Sequence, residues 1–202
     1  MEFKVKGVRV RVSLLFWALL CLALVFETSY LVVIMLASII FHELCHIVCM
    51  AAYGVELKGI YFEAFGVIVE KFSDSPPPSQ RIFVALAGAL GNFIIAAVFA
   101  FVHAFFSSQM FIYIVFVNLC LGCFNILPVK GLDGGDVLSA VLDIIARSKK
   151  VNKDKILKLS SFLSLFLLCT AAVFSGIFYG FNISLIIVIL NLAFVCIYKT
   201  IC

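Results

Sequence analysis

Six long apolar runs dominate the chain, at roughly Ser13–Phe26, Tyr30–Tyr53, Ile82–Phe106, Met110–Leu127, Leu159–Tyr179 and Ile183–Tyr198. A helix needs about 20 apolar residues to cross a bilayer, so each run predicts one transmembrane helix, the first of them short. The pattern changes period in two places. Residues Lys4 to Val12 alternate basic or glycine positions with valine, the period of two that belongs to a half-buried strand. This stretch is either a positively charged flank of the first span or an interfacial strand that joins a small sheet. Val55–Phe72 is rich in β-branched and aromatic residues with glycines at 59 and 66, which predicts two short strands joined near Ala64–Gly66. An unpaired strand edge does not face lipid, so the hairpin belongs to the interface or to the protein interior. Pro76–Pro78 predicts a stiff linker into the third span, and Val137–Ala146 an interfacial amphipathic helix. The expected fold is an all-α polytopic membrane protein of six transmembrane helices with a small membrane-associated β-sheet (residues about 3–12 and 55–72). It forms a single membrane-embedded domain over 1–202, with a catalytic core at about 30–147.

Composition supports that picture. The chain is 65% hydrophobic and 13% charged, with a mean hydropathy of +1.23, too apolar for a soluble domain of this length to cover with polar surface. No small-residue cleavage site follows the basic amino terminus, so no signal peptide is expected. The eight cysteines lie mostly in apolar runs, where they act as small hydrophobes; no disulfide is expected, and Cys120 and Cys123 have no matching second pair. Nothing resembles a nucleic-acid motif or a phosphate-binding loop.

Charge placement orients the spans. With a cytoplasmic amino terminus, all fifteen Lys and Arg fall on one side, while the opposite loops, Glu27–Ser29, Ser107–Gln109 and Gly180–Asn182, carry none. That is a positive-inside distribution with both termini cytoplasmic. The basic stretch Arg147–Lys158 faces anionic headgroups of the lipid bilayer.

The chemistry lies in the second span. His42-Glu43-Leu44-Cys45-His46 reads H-E-x-x-H. Four residues apart on a helix, both imidazoles stand on one face and can reach one metal ion, with Glu43 about 100° around the axis. This is the ligand pattern of a zinc hydrolase, and ionisable groups at membrane depth usually serve a function. A catalytic zinc keeps three protein ligands and one open position. Asp133 is the preferred third ligand, because the fourth span ends in Asn125-Ile-Leu-Pro128-Val-Lys-Gly131-Leu-Asp133-Gly134-Gly135-Asp136, an irregular segment near the cytoplasmic side. Asp136 competes with it, and Cys49 falls on the histidine face. Glu43 is then the general base. Asn125 either holds a substrate carbonyl or oxyanion or makes an interhelical hydrogen bond. Gly88, Gly91 and Asn92 of the third span fit close helix packing, Asn92 by a hydrogen bond across helices, and His103 fits a packing or interfacial role.

These residues resemble the site-2 protease family of intramembrane zinc metalloproteases. The likeness rests on His42–His46 and on Asn125–Gly135, which follow the family's H-E-x-x-H and N-x-x-P…L-D-G patterns; the Phe124–Gly135 stretch is similar to the family's sporulation branch. The resemblance implies Zn2+ bound by His42, His46 and Asp133, Glu43 as base, and cleavage of a membrane-associated protein substrate. It also implies that the hairpin edge takes an extended substrate by strand addition. For the sporulation branch it implies a pro-sigma factor as substrate, inhibitory or regulatory membrane proteins as partners, and a bacterial cell or forespore membrane. The chain departs from the family in Ala87-Gly88-Ala89-Leu90-Gly91-Asn92, where A-G-P-x-x-N is usual, and in Ala64-Phe65-Gly66-Val67, where P-F-G-G is usual. A soluble C-terminal regulatory domain is not expected. Two readings come from other classes: a zinc-binding transporter or sensor that uses the same ligands, and an inactive membrane scaffold in which the motif is a relic.

Overall fold

The computed structural model describes residues 2–5, 8–14, 18, 21, 30–55, 57–63, 66–71, 76–148 and 152–179. The chain divides into two compact units, Met1–Gly122 and Cys123–Cys202. Among the described residues there are four strands, β1 (Glu2–Val5), β2 (Val8–Val12), β3 (Leu57–Glu63) and β4 (Gly66–Lys71). The helices delimited among the described residues are α1 (Leu31–Ala52), α2 (Pro78–Phe106), α3 (Gln109–Ile126), α4 (Asp133–Ala146) and α5 (Lys153–Tyr179). Three of them, α1, α2 and α3, are long and apolar enough to cross a membrane. The expected spans at 13–26, for all but a few residues, and at 183–198 lie outside the described residues. α5 covers the fifth expected span and starts six residues before it, so Lys153, Asp154, Lys155 and Lys158 form its first two turns.

In the first unit the strands form one sheet in the order β1-β2-β3-β4. The alternating amino-terminal stretch is therefore two strands of an antiparallel pair, Glu2 opposite Arg11 and Val5 opposite Val8. β2 then pairs in parallel with β3, Arg9 opposite Gly59 and Val12 opposite Phe62. The expected hairpin at 55–72 is present as β3 and β4, antiparallel, with Glu63 opposite Gly66. β1 and β4 are the sheet's edges.

α1 ends where Tyr53 and Gly54 leave the helix. Gly54 has φ +70°, a left-handed conformation that suits glycine. Its N–H donates to Ala51 O at 3.0 Å and that of Val55 to Met50 O at 3.0 Å, the paired bonds of a Schellman cap. Val55 and Met50 are buried together with Val84 of α2. The triple proline does more than link: Pro78 is the first residue of α2, a position whose N–H needs no helical acceptor. α2 runs to Phe106, and His103 Nδ1 meets Ser108 O at 3.1 Å just past its end, so this histidine is an end-of-helix contact. A polar contact ties α1 to α3, from Asn118 Nδ2 to Ser38 Oγ at 2.9 Å.

In the second unit, α4 begins four residues earlier than the amphipathic pattern suggests. Asp133 is its first residue and Asp136 also lies in its first turn, so Asp133 stands on a helix terminus, not on an irregular loop. Carboxylates are favourable there because the first helical N–H groups point outward. Gly134 and Gly135 do not break the helix. A Cβ on either would collide with backbone, that of Ile126 and of Val129 respectively, so the glycines let the start of α4 lie against the end of α3 and the turn that follows it. Val129 in that turn is fully buried, packed by Phe124, Leu127, Leu132, Leu165 and Leu168. The turn's polar backbone is met by α5: Ser160 Oγ donates to Pro128 O at 2.9 Å and Lys130 N–H donates to Ser161 Oγ at 3.0 Å.

Candidate metal centre

His42 and His46 project from the same face of α1 and are both buried. Their Nε2 atoms lie 3.1 Å apart, with the rings nearly perpendicular at 81°. Zinc–imidazole bonds of about 2.0–2.1 Å in a tetrahedral arrangement place two donor nitrogens roughly 3.3–3.4 Å apart. The observed separation is within a few tenths of an ångström of that, so the pair fits one ion of this kind. Borderline-soft nitrogen donors from imidazole also suit zinc over magnesium or calcium.

Both rings are held by α2. His46 Nδ1–H donates to Val84 O at 2.7 Å, which leaves Nε2 as the lone-pair nitrogen because a carbonyl can only accept. Bonding of this kind from the far ring nitrogen is the usual way a ligating imidazole is oriented. At His42 the carboxamide of Asn92 meets Nδ1, with Nδ2 at 3.1 Å. The expected hydrogen bond of Asn92 across helices is thus present, and it ends on a site histidine.

Gly88, one turn before Asn92, explains how α2 comes so close. A Cβ there would stand 2.6 Å from His42 Nε2 and Cε1 and closer still to His46 Nε2. Gly91 has the same role three residues further along, opposite Cys45 Sγ and Phe41. On sequence alone these residues read as packing; the signal that singles out Gly88 and Asn92 is their spacing of four, which puts a bare backbone and the span's lone amide on one face.

Glu43 is half-buried on α1, beside His42. Cys49 packs against the Met50, Val55 and Val84 cluster, which fits its packing role. In the second unit, Asp133 is half-buried, Asp136 is exposed and Asn125, next to last in α3, is half-buried.

Comparison with known proteins agrees with this chemistry. The family model described as "Peptidase family M50" matches residues 30–111 and 105–171. A zinc metalloprotease of Methanocaldococcus jannaschii is 29% identical over 67% of this chain and 38% of its own length. Rip3 of Mycobacterium tuberculosis, named as a putative zinc metalloprotease, is 30% identical over 54% of this chain and 30% of its own length. The chain thus spans about a third of the length of the curated relatives it matches. Among solved structures, the site-2 protease from Methanocaldococcus jannaschii superposes with a TM-score of 0.71 at 24% identity, covering 99% of this chain and 94% of that one, which shows a shared fold.

Proposed function

Because the chain belongs to peptidase family M50, we propose that it is an intramembrane zinc endopeptidase that hydrolyses a peptide bond of a membrane-associated protein near the cytoplasmic face. Family membership bears out the resemblance carried by His42–His46 and Asn125–Gly135. The observation that carries the reading is the buried His42–His46 pair, with Nε2 atoms 3.1 Å apart in a helix apolar enough to span a bilayer.

In this proposal His42, His46 and Asp133 hold the ion. Zinc, when bound, would supply a Lewis acid to polarise the scissile carbonyl and would lower the pKa of a bound water toward about 7. The Glu43 carboxylate takes the proton from the attacking water and later hands it to the leaving amine, a positioned transfer worth about 10²–10⁴ in rate. Asn125 offers an amide N–H to the substrate carbonyl as negative charge develops on its oxygen. The edge of β4 takes the substrate in extended form by strand addition.

Six crossings with both termini in the cytoplasm complete the reading, supported by the one-sided placement of all fifteen basic residues. Its finest level is a pro-sigma factor as substrate in a sporulating bacterium, restrained by inhibitory membrane proteins, and rests on the likeness of Phe124–Gly135 to the sporulation branch. The deciding experiment co-expresses the protein with candidate membrane-tethered substrates. Wild type is expected to produce a fragment and Glu43→Gln to produce it about 10²–10⁴ times more slowly while still holding zinc. Cleavage at the wild-type rate by Glu43→Gln would falsify the assigned mechanism.

A further inference from the structure

Asn92 is fully buried, at 0% exposure, and its Oδ1 has no hydrogen-bond partner among the described residues. Leaving a buried amide oxygen unpaired costs about 1–3 kcal/mol, more than an asparagine kept for helix packing alone explains. Its carboxamide faces His42 Nδ1, with Nδ2 at 3.1 Å.

The tautomers of the two histidines give that oxygen a purpose. His46 carries its proton on Nδ1, because Val84 O at 2.7 Å can only accept, so its Nε2 offers a lone pair. For His42 to offer a lone pair from Nε2 to the same ion, its proton must also sit on Nδ1. The group beside Nδ1 must then accept. A carboxamide is suited to this, since a half turn about its Cβ–Cγ bond exchanges Nδ2 for Oδ1. The turn brings the buried, unpartnered oxygen onto His42 Nδ1–H, where it replaces the contact that Nδ2 makes with the same ring nitrogen.

Building on the zinc site proposed above, we propose that Asn92 is a positioning residue: its Oδ1 accepts from His42 Nδ1–H and so fixes the tautomer and ring orientation in which His42 Nε2 binds the metal. Val84 O does the same for His46, so a single stretch of α2 presets both imidazoles. Loss of such a partner typically weakens metal binding 10–100-fold.

The test titrates the detergent-solubilised full chain with Co2+, read by its visible absorption, and competes Zn2+ against a calibrated chelator. Wild type, Asn92→Ala and Asn92→Asp are compared, with helicity and thermal midpoint as the control for folding. Asn92→Ala is expected to weaken both metals 10–100-fold at unchanged helicity. Asn92→Asp, which keeps an acceptor at the same place and gives up the amide donor, is expected to bind within about threefold of wild type. Loss of tenfold or more in Asn92→Asp overturns the inference whatever Asn92→Ala does, because it makes the N–H the working group. Wild-type affinity in Asn92→Ala overturns it equally. A wild-type protein that binds neither metal sinks the zinc site itself and takes the inference with it.

Discussion

Replacing Gly88 with alanine sets two effects of opposite sign against each other. In a helix interior alanine is favoured over glycine by about 1 kcal/mol, so on propensity alone Gly88→Ala stabilises α2. The new Cβ, however, would lie 2.6 Å from His42 Nε2 and closer to His46 Nε2, where ordinary contact begins at 3.4 Å. A gap of at least 0.8 Å (3.4 minus 2.6) must open, while metal–donor distances tolerate about 0.2 Å. Neither ring yields easily, since His46 is tied to Val84 O and His42 to Asn92. Either α1 and α2 separate or the rings turn, and in both cases the donor nitrogens leave their places. The expected result is zinc binding weakened by about 100-fold, or roughly 2.7 kcal/mol, in a protein that still folds as a helical bundle. Chelator competition reads the first quantity, far-UV circular dichroism the second. Zinc affinity within threefold of wild type would refute the claim that the bare backbone at Gly88 shapes the site. Gly91→Ala serves as the control: its nearest obstacle is Cys45 Sγ, the end of a side chain that can swing, so its effect should be small and should be relieved further by adding Cys45→Ala.

Three other substitutions test the second unit. Asp133→Ala is expected to abolish both zinc retention and cleavage while Asp136→Ala preserves both, as measured by metal content of the purified protein and by substrate processing; the reverse pattern would move the third ligand to Asp136. Ser161→Ala removes the hydroxyl that accepts from Lys130 N–H at 3.0 Å and donates to Leu157 O at 2.8 Å, and should lower thermal stability by about 1–3 kcal/mol. An unchanged midpoint would show that the turn before α4 does not depend on α5.

What could be read from the sequence was whatever depended on local period. The apolar runs at 30–53, 82–106 and 110–127 became α1, α2 and α3 with ends shifted by four residues at most, and the β-rich stretch at 55–72 became β3 and β4. Partnership was harder to read. Pairing of β2 with β3 joins residues 50 positions apart, and alternation fixes a strand's faces without naming its neighbour. The start of α4 was misplaced for a different reason. Asp133-Gly134-Gly135 has poor helix propensity, yet the glycines are set by close backbone approach to Ile126 and Val129, and tertiary contact overrides propensity. At the metal centre, His42, Glu43 and His46 were plain from spacing, whereas Asn92 looked like packing because its partner lies 50 positions away.

The buried positions of α1 are Ser38, His42, His46 and Met50, a stripe at intervals of four in which three of the four members are polar. Val33, Met35, Ile40, Leu44 and Val48 are exposed on the remaining surface. A soluble helix hides its apolar face; α1 does the opposite, as a lipid-facing helix must. Packing two apolar helices gains little hydrophobic free energy when lipid tails are the alternative. What fixes the rotation of α1 is then the cost of showing polar groups to hydrocarbon, several kcal/mol each. Ser38 is met by Asn118, His42 by Asn92 and His46 by Val84 O, so turning α1 by one residue, about 100°, would break all three contacts at once. The site histidines therefore also set how α1 is seated. It follows that His42→Ala and His46→Ala disturb helix packing together with metal binding, and lost activity in either mixes the two. Glu43 is half-buried and lies off that stripe, so Glu43→Gln isolates the chemistry: it should leave the thermal midpoint and zinc content at wild-type values while cleavage falls by about 10²–10⁴, and a matching fall in stability would show that the carboxylate, too, is involved in holding α1.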